Sequence, residues 1–171
     1  MLEKAKSGDR QALENLLYES YPLVFGYLLK MCRDEELAKD ITQEVMVKAI
    51  VNVGQFRGNS KFSTWLVSMA VNLYKDSLRK KTAVPMEFDD SFGLGSSESA
   101  ESVNLRQESS NEIYRLIDDL PDAQRQVFLL KHYYGLSYEE IAKVVKCPVG
   151  TVRSRLHNGI DKLKEKITRE E

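Results

Sequence analysis

Between Thr151 and Asn158 the chain places Thr151, Arg153, Ser154, Arg155, His157 and Asn158 within about two turns of a helix of 3.6 residues per turn. Every one of these side chains can donate a hydrogen bond, and most can also accept one. Presented from the leading half of a helix, such a set suits the major groove of duplex DNA, where each base pair shows its own donors and acceptors. Arg donating to guanine O6 and N7 is the specific contact that it favours most. A second group runs through Phe56, Arg57, Asn59, Ser60, Lys61 and Phe62, with Trp65 close behind. Aromatic rings interleaved with Arg, Lys and Asn are what unpaired bases require: faces to stack on, donors for base edges and charge for phosphate. The competing reading makes Phe62 and Trp65 the start of a buried helix face; it is expected to hold for Trp65 and partly for Phe62, but not for the loop. A third group, Asp40, Gln43, Glu44 and Lys48, shares one side of a helix. Asp40 and Glu44 are four residues apart and repel mildly, which suits a basic partner. Asn72, Lys75, Asp76 and Arg79 follow at i, i+3, i+4 and i+7 and form another polar face.

Catalytic chemistry finds no such support. The sequence has two histidines, no Ser/His/Asp-like arrangement and no glycine-rich phosphate loop, so no enzyme activity and no cofactor are expected. Cys32 and Cys147 are far apart, with neither a C-x-x-C pair nor a histidine at metal-ligand spacing. No metal site is expected, and a reduced, cytoplasmic compartment follows. No apolar run is long enough to span a membrane, and the N-terminal MLEKAKSGDRQ lacks a signal-peptide core.

The elements that must position these groups are helices. Nine Gly and four Pro in 171 residues, with long stretches of 3.6-residue periodicity, indicate an all-α chain. Ser137 and Glu140 have the spacing of a capping box, and Ile141, Val144 and Val145 give the following helix one apolar side. Cys147-Pro148-Val149-Gly150 breaks that helix, with Pro148 suited to the first turn of the next. There Val152, Leu156, Ile160 and Leu163 line one face. The two helices form a helix-turn-helix. Upstream, Asp9 is expected to cap a helix whose apolar side includes Leu13, Leu16, Leu17, Val24, Leu28 and Met31, with Tyr18, Tyr21, Phe25 and Tyr27 adding bulk. Pro22 leaves open two helices or one kinked helix. Asp34 caps the next, running to about Val53, with Leu37, Ala38, Ile41, Val45, Ala49 and Ile50 as its core. A third runs from about Lys61 to Lys81 with Leu66, Met69, Ala70, Leu73 and Leu78 inside.

Charge divides the chain. Residues 1–81 hold 13 Lys/Arg against 10 Asp/Glu, residues 82–111 hold 1 against 6, and residues 112–171 hold 11 against 10. The middle segment, rich in Ser, Glu, Gly and Asp, reads as a flexible acidic linker with too little apolar surface to fold alone. Two small helical domains are therefore expected, at 1–82 and 110–171, with the linker at 83–109. A helix from about Asn111 to Leu120 and another after Pro121 precede the helix-turn-helix. A net charge of −1 argues against strong affinity for bulk DNA, so a partner must supply much of the grip.

On AKDITQEVMVKA, FRGNSKFSTWL and MAVNLYKDSLR in the first half, and LPDAQRQVFLLKHYYGLSYEEIA and PVGTVRSRL in the second, the chain resembles the extracytoplasmic-function (ECF) group of sigma-70 factors. The resemblance covers nearly the whole chain, and the order and spacing of the motifs make it specific. It implies an alternative sigma factor that binds RNA polymerase core and directs promoter-specific initiation. By resemblance, Asp40, Gln43, Glu44 and Lys48 dock on the β′ clamp helices, while the second domain meets the β flap. Phe56, Arg57, Asn59, Ser60, Lys61, Phe62, Asn72, Asp76 and Arg79 read and open the −10 element of promoter DNA. Ser137, Thr151, Arg153, Ser154, Arg155, His157 and Asn158 read the −35 element. The acidic linker is similar to the segment that threads the RNA exit channel, and an anti-sigma factor, often membrane-anchored in the family, is implied as a further partner. Many relatives carry Arg where Asn158 stands and a basic residue near Asp161, which implies a weaker −35 phosphate grip here. Asp76, an acid on a face meant for DNA, suits a base amine or a neighbouring Arg rather than phosphate. A helix-turn-helix regulator with a sensory first domain is the alternative, but it has no use for FRGNSKFSTWL, and a receiver domain would alternate strands with helices.

Overall fold

The computed structural model describes residues 1–82 and 114–170. The linker expected at 83–109 and the helix start expected at Asn111 lie outside the described residues. The chain divides between Val84 and Pro85 into two units.

The first unit contains α1 (Leu2–Lys6), α2 (Arg10–Cys32), α3 (Glu35–Asn52), a 3₁₀ turn (Val53–Gln55) and α4 (Phe62–Thr82). The short α1 escapes the periodicity argument because five residues give too little pattern to read. Asp9 caps α2 by accepting from the Ala12 N–H at 3.0 Å, and Asp34 caps α3 by accepting from the Leu37 N–H at 3.0 Å. The helix ends therefore fall where the short acidic side chains satisfy otherwise orphaned donors. Arg33 closes α2 in the left-handed region at φ 55°, turning the chain sharply into α3.

Pro22 lies inside one unbroken α2. It is exposed, and so is Tyr18, whose carbonyl loses its helical partner. Water can replace that bond on a solvent-facing side, which is why proline is tolerated there. Tyr18, expected to add core bulk, is 84% exposed for the same reason of facing.

The core of this unit is the meeting of α2, α3 and α4. Val24, Tyr27, Leu28 and Met31 meet Ala38, Ile41, Val45 and Ala49, with Leu66, Val67, Ala70, Val71 and Tyr74 closing the bundle. The Tyr74 hydroxyl donates to the Met31 carbonyl at 3.4 Å, which ties α4 to the end of α2. Ile50, assigned to the core from its apolar character, is 52% exposed. Ala38, Ile41, Val45 and Ala49 already fill the buried stripe, and Ile50 lies about 100° further round the helix than Ala49.

The second unit contains helical residues 114–118 (α5), then α6 (Asp122–His132), α7 (Tyr138–Val145) and α8 (Val149–Glu170). Its core joins Leu116, Ile117 and Leu120 to Val127, Leu129, Leu130, Ile141, Val144, Val145, Val152 and Leu156. Arg125 is buried with them, pairing with the Asp122 carboxylate and donating to the Asp118 carbonyl at 2.9 Å. It thereby locks α6 to the end of α5, since a buried guanidinium is tolerable only when paired. Gly159 lies where α8 packs against α6: a Cβ there would meet the Gln124 Cβ at 3.5 Å.

Candidate nucleic-acid interface

The corner that aims α8 is built from local chemistry. The Ser137 hydroxyl accepts from the Glu140 N–H at 3.1 Å, and the Ser137 N–H donates to Glu140 Oε2 at 2.8 Å, completing the capping box. At the other end of α7, Lys146 takes a left-handed φ of 59°, and both its N–H and that of Cys147 donate to the Ala142 carbonyl. Pro148 stands one residue before α8, and its carbonyl accepts from Thr151 and Val152. Its ring fixes φ, and its missing N–H costs nothing at a helix start.

On α8, Arg153, Ser154, His157 and Asn158 are exposed, while Thr151 and Arg155 are half-buried. Ser154 donates to the Thr151 carbonyl at 3.0 Å. His157 Nε2 lies 3.1 Å from Asp161 Oδ2, one helical turn on. Arg153 is drawn across the corner, its guanidinium carbon 5.4 Å from the centre of the Tyr138 ring. Lys131 of α6 approaches the same ring at 4.7 Å and donates to the Leu136 carbonyl at 3.3 Å. Periodicity could not reveal this cluster, because its three members come from three helices.

In the first unit, Arg57, Gly58, Asn59 and Lys61 are exposed and Ser60 is half-buried. Gly58 has φ +76°, a conformation that L side chains rarely adopt. Phe56 corrects the expectation of a stacking platform, and Phe62, for which partial burial was expected, is enclosed as well. They are 4% and 9% exposed, packed edge-to-face at 5.7 Å, with Trp65 at 5.2 and 5.5 Å. Burial of ring area outweighs display to solvent, and a ring so enclosed offers no face to a base. The two rings instead anchor the entry and exit of the polar loop. On α4, Asn72 and Lys75 are half-buried and Asp76 and Arg79 exposed, with Arg79 paired to Asp76 at 3.6 Å. Arg79, Lys80 and Lys81 give the last turn of α4 an exposed basic end.

Asp40, Gln43, Glu44 and Lys48 are exposed together on α3, with Lys48 paired to Glu44 at 3.4 Å. Val47 and Val51, 60% and 75% exposed, lie on the same stripe. Sequence reasoning missed this apolar component, because exposed valines carry no spacing signal of their own. Among the described residues no group of three or more His, Cys, Asp or Glu is gathered that could hold a metal ion. Among them, too, no helix is long and apolar enough to cross a membrane.

Comparison with known proteins places these features in a family. Residues 17–84 match the model of sigma-70 region 2, and residues 110–163 match that of sigma-70 region 4. The chain is 34% identical to the RNA polymerase sigma-H factor of Pseudomonas aeruginosa, over 99% of this chain and 95% of the relative. It is 33% identical to the ECF RNA polymerase sigma-E factor of Escherichia coli K12, over 98% of this chain and 92% of that one. Among solved structures, the sigma factor RpoE of Bartonella quintana, in complex with the anti-sigma factor NepR, shares the fold with a TM-score of 0.75 at 22% identity, covering 92% and 98% of the two chains. CnrH, in complex with the cytosolic domain of CnrY, does so with a TM-score of 0.68 at 18% identity, covering 99% and 96%. The chain belongs to the extracytoplasmic-function group of sigma-70 factors and is an alternative sigma factor that directs promoter-specific transcription initiation.

Proposed function

We propose that the two units divide promoter reading between them and that α3 fastens the first to polymerase. The exposed stripe of Asp40, Gln43, Glu44 and Lys48, with Val47 and Val51 beside it, docks on the β′ clamp helices. Apolar area with a charged margin is the usual make-up of such an interface. The polar loop Arg57–Lys61, with Asn72, Asp76 and Arg79, captures a base of the opening −10 element. Arg57, Asn59, Ser60 and Lys61 supply donors, and Phe56 and Phe62 hold the loop ends. Flipping a base out of the stack costs roughly a few kcal/mol, which hydrogen bonds and contacts in the loop offset. In the second unit Arg153, Ser154, Arg155, His157 and Asn158 read the −35 duplex, with Ser137 and Thr151 toward the backbone, and this unit also meets the β flap.

The observation that carries this reading is the corner of the second unit. A complete capping box and a proline-led start hold α8 so that its exposed residues form one leading edge. The chain acts by binding, in the cytoplasm, and the polymerase performs the chemistry. An anti-sigma factor is a further partner, by analogy with the complexed neighbours.

The test is transcription in vitro with purified polymerase core, with and without this chain, on promoters randomised in the −35 and −10 elements. The expected outcome is initiation that depends on the chain and selects both elements. Initiation that depends on the chain but selects only one of the two elements would overturn the division of reading between the units.

A further inference from the structure

We propose that Tyr138 is a positioning residue for Arg153, setting its guanidinium before DNA arrives and so sharpening base discrimination by α8. The proposal rests on the −35 reading given above. An exposed arginine samples many rotamers, and each must be surrendered when it forms a bidentate contact with a guanine. A ring beneath the guanidinium narrows that choice, while leaving the N–H groups at its rim able to donate.

The ring is itself well placed to act as a fixed surface. Tyr138 is the first residue of α7, directly after Ser137, so the two hydrogen bonds of the capping box hold its backbone. Lys131 lies over the same ring at 4.7 Å while its ammonium donates to the Leu136 carbonyl. Three helices thus converge on one half-buried tyrosine, with Arg153 as the exposed member of the group. The order of action runs from the cap to the ring, from the ring to the guanidinium, and from there to the base.

The test uses the full chain with polymerase core, measuring initiation on promoters that carry each single-base change in the −35 element. Four variants are compared with the parent: Tyr138→Leu, Tyr138→Phe, Arg153→Ala, and Tyr138→Leu combined with Arg153→Ala. Tyr138→Leu is expected to narrow discrimination about two- to fivefold, the range of an exposed cation–π contact, at the base pair where Arg153→Ala also narrows it. Tyr138→Phe keeps the ring and should restore the parent ratio, and Tyr138→Leu should add nothing once Arg153 is alanine. Equal losses from Leu and Phe would assign the effect to the hydroxyl and overturn the proposal. So would a uniform loss at every position accompanied by a lower melting temperature, which would mark a merely structural role. If Arg153→Ala narrows discrimination and Tyr138→Leu does not, positioning fails while the −35 reading stands. If Arg153→Ala changes no ratio, the −35 reading fails and the proposal falls with it.

Discussion

Arg153 is exposed, cationic and held at the leading edge of α8. Arg153→Ala should cost about 1–3 kcal/mol on the cognate −35 sequence and relax preference there. Core-dependent initiation on matched and mismatched promoters measures both, and an unchanged preference would remove Arg153 from the reading set. Tyr134 offers a test of a different kind. Burial, and then the neighbouring Tyr133, raise its phenol above the ordinary value of 10.0. The phenol is neutral below its pKa, so the unfolded chain gives up this proton at a lower pH than the folded one. The associated stability is fully present below pH 10.0, the ordinary value, and is lost as pH rises from there through the raised folded value. Alkaline unfolding curves should therefore fall more steeply for the parent than for Tyr134→Phe. Parallel curves above that pH would show that the phenol makes no such contribution.

Helices and their ends decide what the residues can reach. On α3 the exposed stripe faces away from the core that Ala38, Ile41, Val45 and Ala49 build, so its side chains are dispensable for folding. Asp40→Lys should weaken binding to polymerase core about tenfold or more through like-charge contact with a basic surface, while leaving the melting temperature nearly unchanged. Equal affinity in a titration of labelled core would detach α3 from that interface. It is at this scale that the sequence was most legible. Asp9, Asp34 and Ser137 announce helix starts because capping is local chemistry, needing only the right side chain within three residues of an orphan N–H. Apolar spacing likewise marked most of the buried faces. Ile50 and Tyr18 were misplaced because hydrophobic character does not say on which side of a full stripe a residue falls. Phe56 was misjudged more instructively, and Phe62, expected to be partly buried, is more enclosed than that. The polar loop was recognised correctly as exposed, but its aromatic boundary residues turn inward, a choice made by tertiary packing with Trp65. The Tyr138–Arg153 contact joins residues whose proximity no linear pattern encodes.

For the molecule as a whole, the two proposed reading surfaces belong to a chain whose net charge is only −1. Neither is expected to gain much from general attraction to phosphate, since residues 1–81 and 112–171 are each only mildly basic. When polymerase holds both surfaces on one promoter, the second contact forms at a high effective concentration. Promoter affinity should rise about a hundredfold or more when core is added, as followed by anisotropy of labelled DNA at fixed salt. A free chain that binds as tightly as the complex would make that division of labour unnecessary.

The aromatic cluster at the ends of the polar loop also gives the protein a reporter of its own. Trp65 is the single tryptophan in the sequence, and it lies against both Phe56 and Phe62. An indole in that setting senses any shift of the rings that carry the loop. Biosynthetic 5-fluorotryptophan, introduced into this chain alone, gives one fluorine resonance that remains distinguishable after unlabelled core is added. That resonance should move when an opening −10 element enters the loop and stay fixed on a duplex lacking one. A line that does not move while initiation proceeds would describe a rigid clasp, in which the loop alone adjusts to the captured base.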